Sequence, residues 1–503
     1  MNKLTIPVMF VAILFCLKVV HPALYDPDFF WHLKTGEYII THRALPMTDI
    51  FSFTNFGKHW VLHEWLTEVV LYAVFHVLGF TGIRILVALM CTATFYVLMR
   101  LAQKLLGNDD RAGLITFIFY IPVLAFTAPR PQIFTFFFFA LFLYILLDYK
   151  YFQRTKFLAA IPLIMLVWVN LHGAFIVGLV LLGLFLACEW AQVLFATKRE
   201  TEKVRSLRYL SMVAIGAVLV TAINPQLFEI WLYPFQVVSM EAAQNTIGEW
   251  QSPDFHDHFF KYFLLLVIGF FFALIYSRKK PDLTEMAIPL FFVVSAMVAV
   301  RHIPLACFTL LIFFTLFYRE RSDLMTWSKR DGRMAKMLSD PPKIENRLLP
   351  KLNLVVLIVV VAASVRIEAK SRENDPGAAS MPVKAAEFIE KNGIKGNMLN
   401  DYNHGGYLIY RFAPERKVFI DGRADMYGDA FVNDYRAIYE GAANWKEKFE
   451  KFHIDYVVCH LDAPIRQLLL AEGSFKEVYK DASYAVLLHD VPKYQALLGM
   501  LQK

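Results

Sequence analysis

Two carboxylates flank a proline at Asp26-Pro27-Asp28, directly before an amphipathic run from Phe29 to His42. Carboxylates so placed can take a proton from an acceptor or hold a divalent cation. The same residues also suit a helix start, with Asp26 as N-cap, Pro27 at the first helical position and Asp28 favouring the dipole. His32 follows Asp28 by four residues and so shares its helical face. Three short polar turns stand out elsewhere. APRPQ holds Arg130 between two prolines, where an ordinary arginine would snorkel. VNLHG carries Asn170 and His172, and a lone histidine there is more often packed than catalytic. RHIP carries Arg301 and His302. Two cations on one side of the protein would suit a phosphate or pyrophosphate.

The elements that must position these groups are set by composition. The 503 residues are 57% apolar and 19% charged, whereas soluble domains average about 45–50% and about 25%. That balance excludes a disordered chain, a disulfide-stapled secreted domain and a simple cytosolic enzyme. The net charge of +7 does not point to nucleic acid, because the basic residues cluster beside apolar runs. Of the cysteines, Cys16, Cys91, Cys188 and Cys307 lie in apolar stretches and Cys459 is alone, without a CxxC or zinc spacing. The N-terminal stretch lacks a convincing cleavage site and reads as an uncleaved first span.

Apolar stretches lie near 4–20, 65–79, 82–103, 112–128, 132–148, 157–171, 173–196, 209–225, 259–277, 285–300, 303–318 and 353–366. Lys and Arg crowd at 150–156, 198–208, 278–280 and 319–351, while 226–258 contains neither. The positive-inside rule makes the clusters cytoplasmic and 226–258 external. The parity of the spans closes if 65–79, with Glu64, Glu68 and His76, is a partly embedded external helix. The expectation is a polytopic α-helical membrane protein of about eleven spans, with a membrane domain over 1–366 that includes the external loop 21–64. Arg130, His172, Arg301 and His302 then fall on the external side with Asp26 and Asp28.

From 367 to 503 the chain becomes polar and reads as an extracytoplasmic α/β domain. Helices are expected at 382–391, 428–439, 444–452 and 463–471. Strands are expected near 396–400, 406–411, 416–421 and 454–459, with a final hairpin. The NG, DG and EG pairs at 392–393, 421–422 and 472–473 mark turns, and Asp421-Gly422 reads first as a tight turn after a strand.

The order of these features resembles the lipid-carrier-dependent integral-membrane glycosyltransferases of the GT-C superfamily, which include protein O-mannosyltransferases, aminoarabinose transferases and oligosaccharyltransferases. The layout of about residues 1–200 carries the resemblance: an acidic loop after the first span, then HEWLTEVVLYAVFHVLGF and IRILVALMCTATFYVLMRLAQKLLG. DPDFFWHLKTGEYI is similar to the oligosaccharyltransferase first loop, and Thr246-Ile247-Gly248-Glu249 matches its TIxE motif. NDYNHGGYLIYRFAPERKVFIDGRADMYGD resembles the stretch around the WWDYG motif, with Asp401-Tyr402 in place. Leu399-Asn400 stands where that motif has tryptophans, and Gln132 where relatives often have an acid.

The resemblance implies glycosyl transfer from a polyprenyl-phosphate or -pyrophosphate sugar to a protein, lipid or glycan acceptor on the outer face, with inversion. Asp28 or Asp26 would be the base or hold Mg2+ or Mn2+, with Asp28 the metal ligand. Arg130, Arg301 and His302 would neutralise the leaving phosphate. His32, His172, Glu249, Asp401, Asp421 and Arg423 complete the candidate substrate-binding set, with His404 and the Gly405-Gly406 turn beside them. The location implied is a bacterial inner membrane with the tail periplasmic. A transporter of lipid-linked sugars and a non-catalytic scaffold are the alternatives; polar groups at one face and no two-fold repeat count against the transporter.

Overall fold

A computed structural model describes residues 26–107, 109–197, 201–241, 244, 247–319 and 381–501. The expected spans at 4–20 and 353–366, with Cys16, Thr246 and the basic run after Arg319, lie outside the described residues. The helices up to Arg319 are, in chain order, α1 (Phe29–His42), α2 (Trp65–Leu106), α3 (Asp109–Tyr120), α4 (Gln132–Phe152), α5 (Ala160–Leu171), α6 (Ile176–Leu194), α7 (Thr201–Val220), α8 (Glu229–Val238), α9 (His258–Tyr276), α10 (Leu283–Val298) and α11 (Ile303–Arg319). The helix expected at 65–79 and the span after it form one helix, α2, broken at Gly79, whose φ of 61° is left-handed and available to glycine without strain.

Among the described residues, five helical stretches are long and apolar enough to cross a membrane: Trp65–Leu106, Gln132–Phe152, Gly173–Leu194, His258–Tyr276 and Val300–Arg319. Shorter apolar helices lie at Arg111–Phe126, Ala160–Leu171 and Leu283–Val298. These lengths establish an integral membrane protein without fixing the span count at eleven.

The chain divides into two compact units. Among the described residues, the first comprises 84–227 and 248–319, and the second 26–83, 228–247 and 381–501. The loop 21–64, assigned from the sequence to the membrane domain, thus clusters with the tail from 26 onward.

The first unit is helical. Phe139 and Phe142 of α4 are buried, with Phe139 edge-on to Phe292 of α10 and Phe142 edge-on to Trp168 of α5. At the C-terminal end of α4, Lys150 pairs with Glu189 of α6 and, at 2.8 Å, with Asp282, while Thr284 donates to Glu189 at 2.7 Å. Asp282 and Glu285 form a capping box that starts α10. Lys150 is therefore tied into ion pairs that join α4 to α6 and to the start of α10.

In the second unit the tail supplies α12 (Val383–Lys391), β1 (Met398–Asn400), α13 (Gly405–Phe412), α14 (Ala424–Tyr427), α15 (Asp429–Tyr439), α16 (Trp445–Glu450), β2 (Tyr456–His460), α17 (Pro464–Glu472), β3 (Phe475–Lys480) and β4 (Tyr484–His489). The sheet order is β1-β2-β4-β3, with β1 parallel to β2 and the remaining pairs antiparallel. The small α/β region and its final hairpin match the sequence reading. The strand expected at 406–411 is instead α13, because Leu408, Ile409 and Phe412 are buried at helical spacing and the helix packs on α1. The strand expected at 416–421 is an extended segment joined to the first loop, with an isolated bridge from Ser52 to Val418.

Candidate functional site

In the second unit, Asp26 Oδ1 accepts the Asp28 amide at 2.9 Å, the bond a cap residue makes two positions ahead, although α1 proper begins at Phe29. Asp28 Oδ1 accepts from the Trp31 indole at 3.3 Å. A Cβ on Gly422 would collide with the Asp28 carboxylate, and one on Gly406 would collide with the Pro27 carbonyl. Glycines of HGGY and IDGR thus let the tail backbone close on the acidic loop.

Behind that contact lies a buried ion network. Arg423 binds Asp421 through Nε at 2.7 Å and Nη2 at 2.6 Å, and Asp49 through Nη2 at 2.9 Å. Tyr427 donates to Asp421 at 2.7 Å, and the guanidinium lies 4.5 Å from the Trp60 ring centre. Burial opposes the charge on Arg423, but Asp421 and Asp49 hold it protonated far above its ordinary range. Asp421 and Arg423 are both closed from solvent and neutralise each other, so the structure gives them a positioning place rather than a surface for substrate. Asp49 escaped the sequence reading because nothing in TDIF marks it as a partner of a residue so far along the chain.

His32 is buried between Glu64, with Nε2–Oε2 at 3.6 Å, and Glu68, with Nδ1–Oε1 at 3.4 Å. It faces these acids although it shares a helical side with Asp28. Next to it, His63 lies 3.3 Å from Glu64, stacks on Tyr233 of α8 and meets its hydroxyl at 3.1 Å. Burial pulls the His63 imidazole down, yet Glu64 and Asp425 hold it above its usual value. Burial pushes Asp425 up against the opposing pull of His63. In the tail, Asp401 caps a short turn by accepting from Asn403 at 2.8 Å, and His404 meets Tyr484 at 3.2 Å.

In the first unit, Arg130 Nη1 donates to Glu249 at 2.7 Å. The next residue, Trp250, has the Arg301 guanidinium 4.4 Å from its ring centre. The Val300 amide donates to Gln251 at 3.0 Å, fixing the RHIP turn against the GEW turn. Two guanidinium groups therefore converge on the Glu249-Trp250 dipeptide, an acid and an aromatic face that offset their mutual repulsion. His302 Nδ1 meets the Ser295 carbonyl at 3.1 Å, which anchors its ring in the turn. His172 bonds Thr135 at 2.7 Å, and Thr135 accepts from Trp168 at 2.8 Å, so His172 belongs to a buried polar triad. Trp250 is the residue that sequence reasoning passed over; its position after the TIGE glutamate was the available signal.

The donors around Asp28 do not fit a metal. Among the described residues no group of three or more His, Cys, Asp or Glu side chains could hold an ion, and Asp28 is engaged by an indole donor and a glycine backbone.

No protein-family model and no curated protein sequence matches the chain. Solved structures match along most of its length. Archaeal oligosaccharyltransferase AglB from Archaeoglobus fulgidus, in complex with an inhibitory peptide and a dolichol-phosphate, aligns with a TM-score of 0.60 at 10% identity, over 91% of this chain and 69% of AglB. ArnT from Cupriavidus metallidurans, bound to undecaprenyl phosphate, aligns with a TM-score of 0.50 at 14% identity, over 97% of both chains. The Archaeoglobus fulgidus oligosaccharyltransferase in complex with zinc and sulfate aligns with a TM-score of 0.50 at 12% identity, over 91% of this chain and 68% of that one. The chain therefore shares its fold with these oligosaccharyltransferase structures and with ArnT.

Proposed function

We propose that this chain is a membrane glycosyltransferase that moves a sugar or glycan from a polyprenyl-phosphate or -pyrophosphate carrier to an extracytoplasmic acceptor. The observation that carries this reading is the convergence of Arg130 and Arg301 on Glu249-Trp250 in a fold of GT-C type. A fixed pair of guanidinium groups suits a leaving phosphate, whose charge grows as the glycosidic bond breaks. In this reading His302, whose ring is bonded to the Ser295 carbonyl in the same turn as Arg301, supports that group.

An acceptor hydroxyl or amide attacks the anomeric carbon in line. The new bond forms as the carbon–oxygen bond to phosphate breaks, with inversion, and the acceptor proton passes to Asp28 or Asp26. Asp421 and Arg423 serve by holding the turn against which Asp28 rests. His32, His172 and Asp401 bind substrate in this reading only through rearrangement of their present partners. No step is assigned to Mg2+ or Mn2+. In this reading the membrane domain spans 1–366 and the external domain 367–503, with the segments 26–83 and 228–247 clustering with the latter, in a bacterial inner membrane with the tail periplasmic.

The test is titration of a polyprenyl-phosphate sugar into reconstituted wild type, Arg130→Ala, Arg301→Ala and Asp28→Asn proteins. Each arginine loss should weaken donor binding by about tenfold or more, which is about 1.4 kcal/mol. Asp28→Asn should bind donor and fail to turn it over. A correctly inserted wild type that binds no donor would leave the scaffold as the better account.

A further inference from the structure

The helix α8 has two unlike sides. At 100° per residue, Phe228, Trp231, Leu232, Phe235 and Val238 fall within an arc of about 120°. Phe228, Leu232, Phe235 and Val238 are 64%, 60%, 69% and 57% exposed. The other side is fixed to the second unit: Ile230 is fully buried, Glu229 meets His59 at 2.9 Å, and Tyr233 stacks on His63. The outward strip carries no charge, and 226–258 contains no Lys or Arg. Such a strip facing water would be an aggregation liability.

We propose that this face of α8 lies in the headgroup–acyl boundary of the lipid bilayer, as an interfacial helix anchored to the protein by His59 and His63. Three observations favour lipid as the occupant. Among the described residues, five helical stretches are suited to crossing a membrane. Exposed apolar residues run on in sequence from α7 into α8 through Met212, Ile215, Leu219, Ile223 and Leu227, the residue types that the outer side of α9 also presents at Leu265, Phe272 and Ile275. The strip itself is rich in aromatic side chains, with Trp231 between Phe228 and Phe235, a composition favoured at membrane interfaces.

The test places single cysteines at Leu232, Phe235 or Glu447 of the full chain, in a Cys16→Ser background. Cys91, Cys188, Cys307 and Cys459 are buried. Each cysteine carries a bimane label, and the protein sits in phosphatidylcholine vesicles with or without brominated acyl chains. Labels at 232 and 235 should lose most of their emission to brominated lipid and resist aqueous iodide, and the label at 447 should do the reverse. Iodide quenching at 235 with indifference to bromolipid would overturn the proposal. Protection that appears only after polyprenyl phosphate is added would assign the face to the donor chain. Protection that depends on protein density would assign it to a second copy; either result also overturns it.

Discussion

The Asp28 carboxylate rests on the backbone of Gly422 so closely that a methyl group there would overlap it. These residues stand in the acidic DPD segment before α1 and in the IDGR turn of the tail. At the residue preceding Asp28, Gly406 admits the Pro27 carbonyl, and within the tail Gly405 admits Ile420 and Asp421. The acid proposed as base is thus positioned by the Gly422 backbone and by the Trp31 indole, which donates to it at 3.3 Å.

Replacing Gly422 with alanine should therefore displace Asp28 while leaving the Arg130 and Arg301 side chains, proposed to bind the donor, unchanged in sequence. Misplacement of a reacting group by about 1 Å can cost about 100-fold in rate. Gly422→Ala is expected to lose transfer on that scale while its affinity for a polyprenyl-phosphate sugar is unchanged, as measured by product formation and donor titration on the same preparation. Full transfer by this variant would remove Asp28 from the chemistry.

The apolar helices, the acidic loop and the α/β character of the tail were legible because each is written in local pattern. What was not legible depends on distant partners. LIYRF alternates well enough to read as a strand, yet it is helical because α1 offers it a surface. Asp421 looked like a plain turn residue; its pairing with Arg423 and Asp49 needs the first loop folded against the tail. The arginine pair could be placed on one side from charge bias, but the pairing of Arg130 with Glu249 and Arg301 with Trp250 follows from the turn-to-turn bond at Gln251.

Arg423 is a buried charge with two acidic partners, so its removal should be severe. Arg423→Met leaves Asp49 and Asp421 uncompensated, and breaking such a pair costs about 3–5 kcal/mol. Thermal unfolding of the full chain in detergent should show a large drop for Arg423→Met. The combination with Asp421→Asn and Asp49→Asn should recover much of it, since neutral amides need less compensation. Additive losses in the combined variant would show that charge pairing is not what the network supplies.

The Arg130–Glu249 pair is partly exposed, with side chains at 18% and 39%, and exposed pairs contribute about 0–1 kcal/mol to stability. Glu249→Gln should leave the melting temperature nearly unchanged and tighten donor binding, because the guanidinium loses a competing anion. Arg130→Ala should weaken it. Equal weakening in both variants would instead make Glu249 a direct partner of the donor.

His63 should give the second unit a pH-dependent stability. Its folded pKa is raised by Glu64 and Asp425 against the effect of burial, so its contribution is full below the unfolded value of about 6.5 and is lost as pH rises through the folded value. Asp425 acts in the same sense, because burial raises its pKa and ionising it costs stability. At the acid end, burial at Asp455 and Asp481 is outweighed by hydrogen bonds from backbone amides, which lower both carboxyls; their contribution disappears as pH falls through the folded values. Thermal unfolding of wild type should show greatest stability in weak acid and a decline as pH rises above the ordinary histidine value of about 6.5. His63→Gln should flatten that decline while leaving the acid limb in place. A decline that survives the substitution would mean that another group, not the imidazole against Tyr233, drives it.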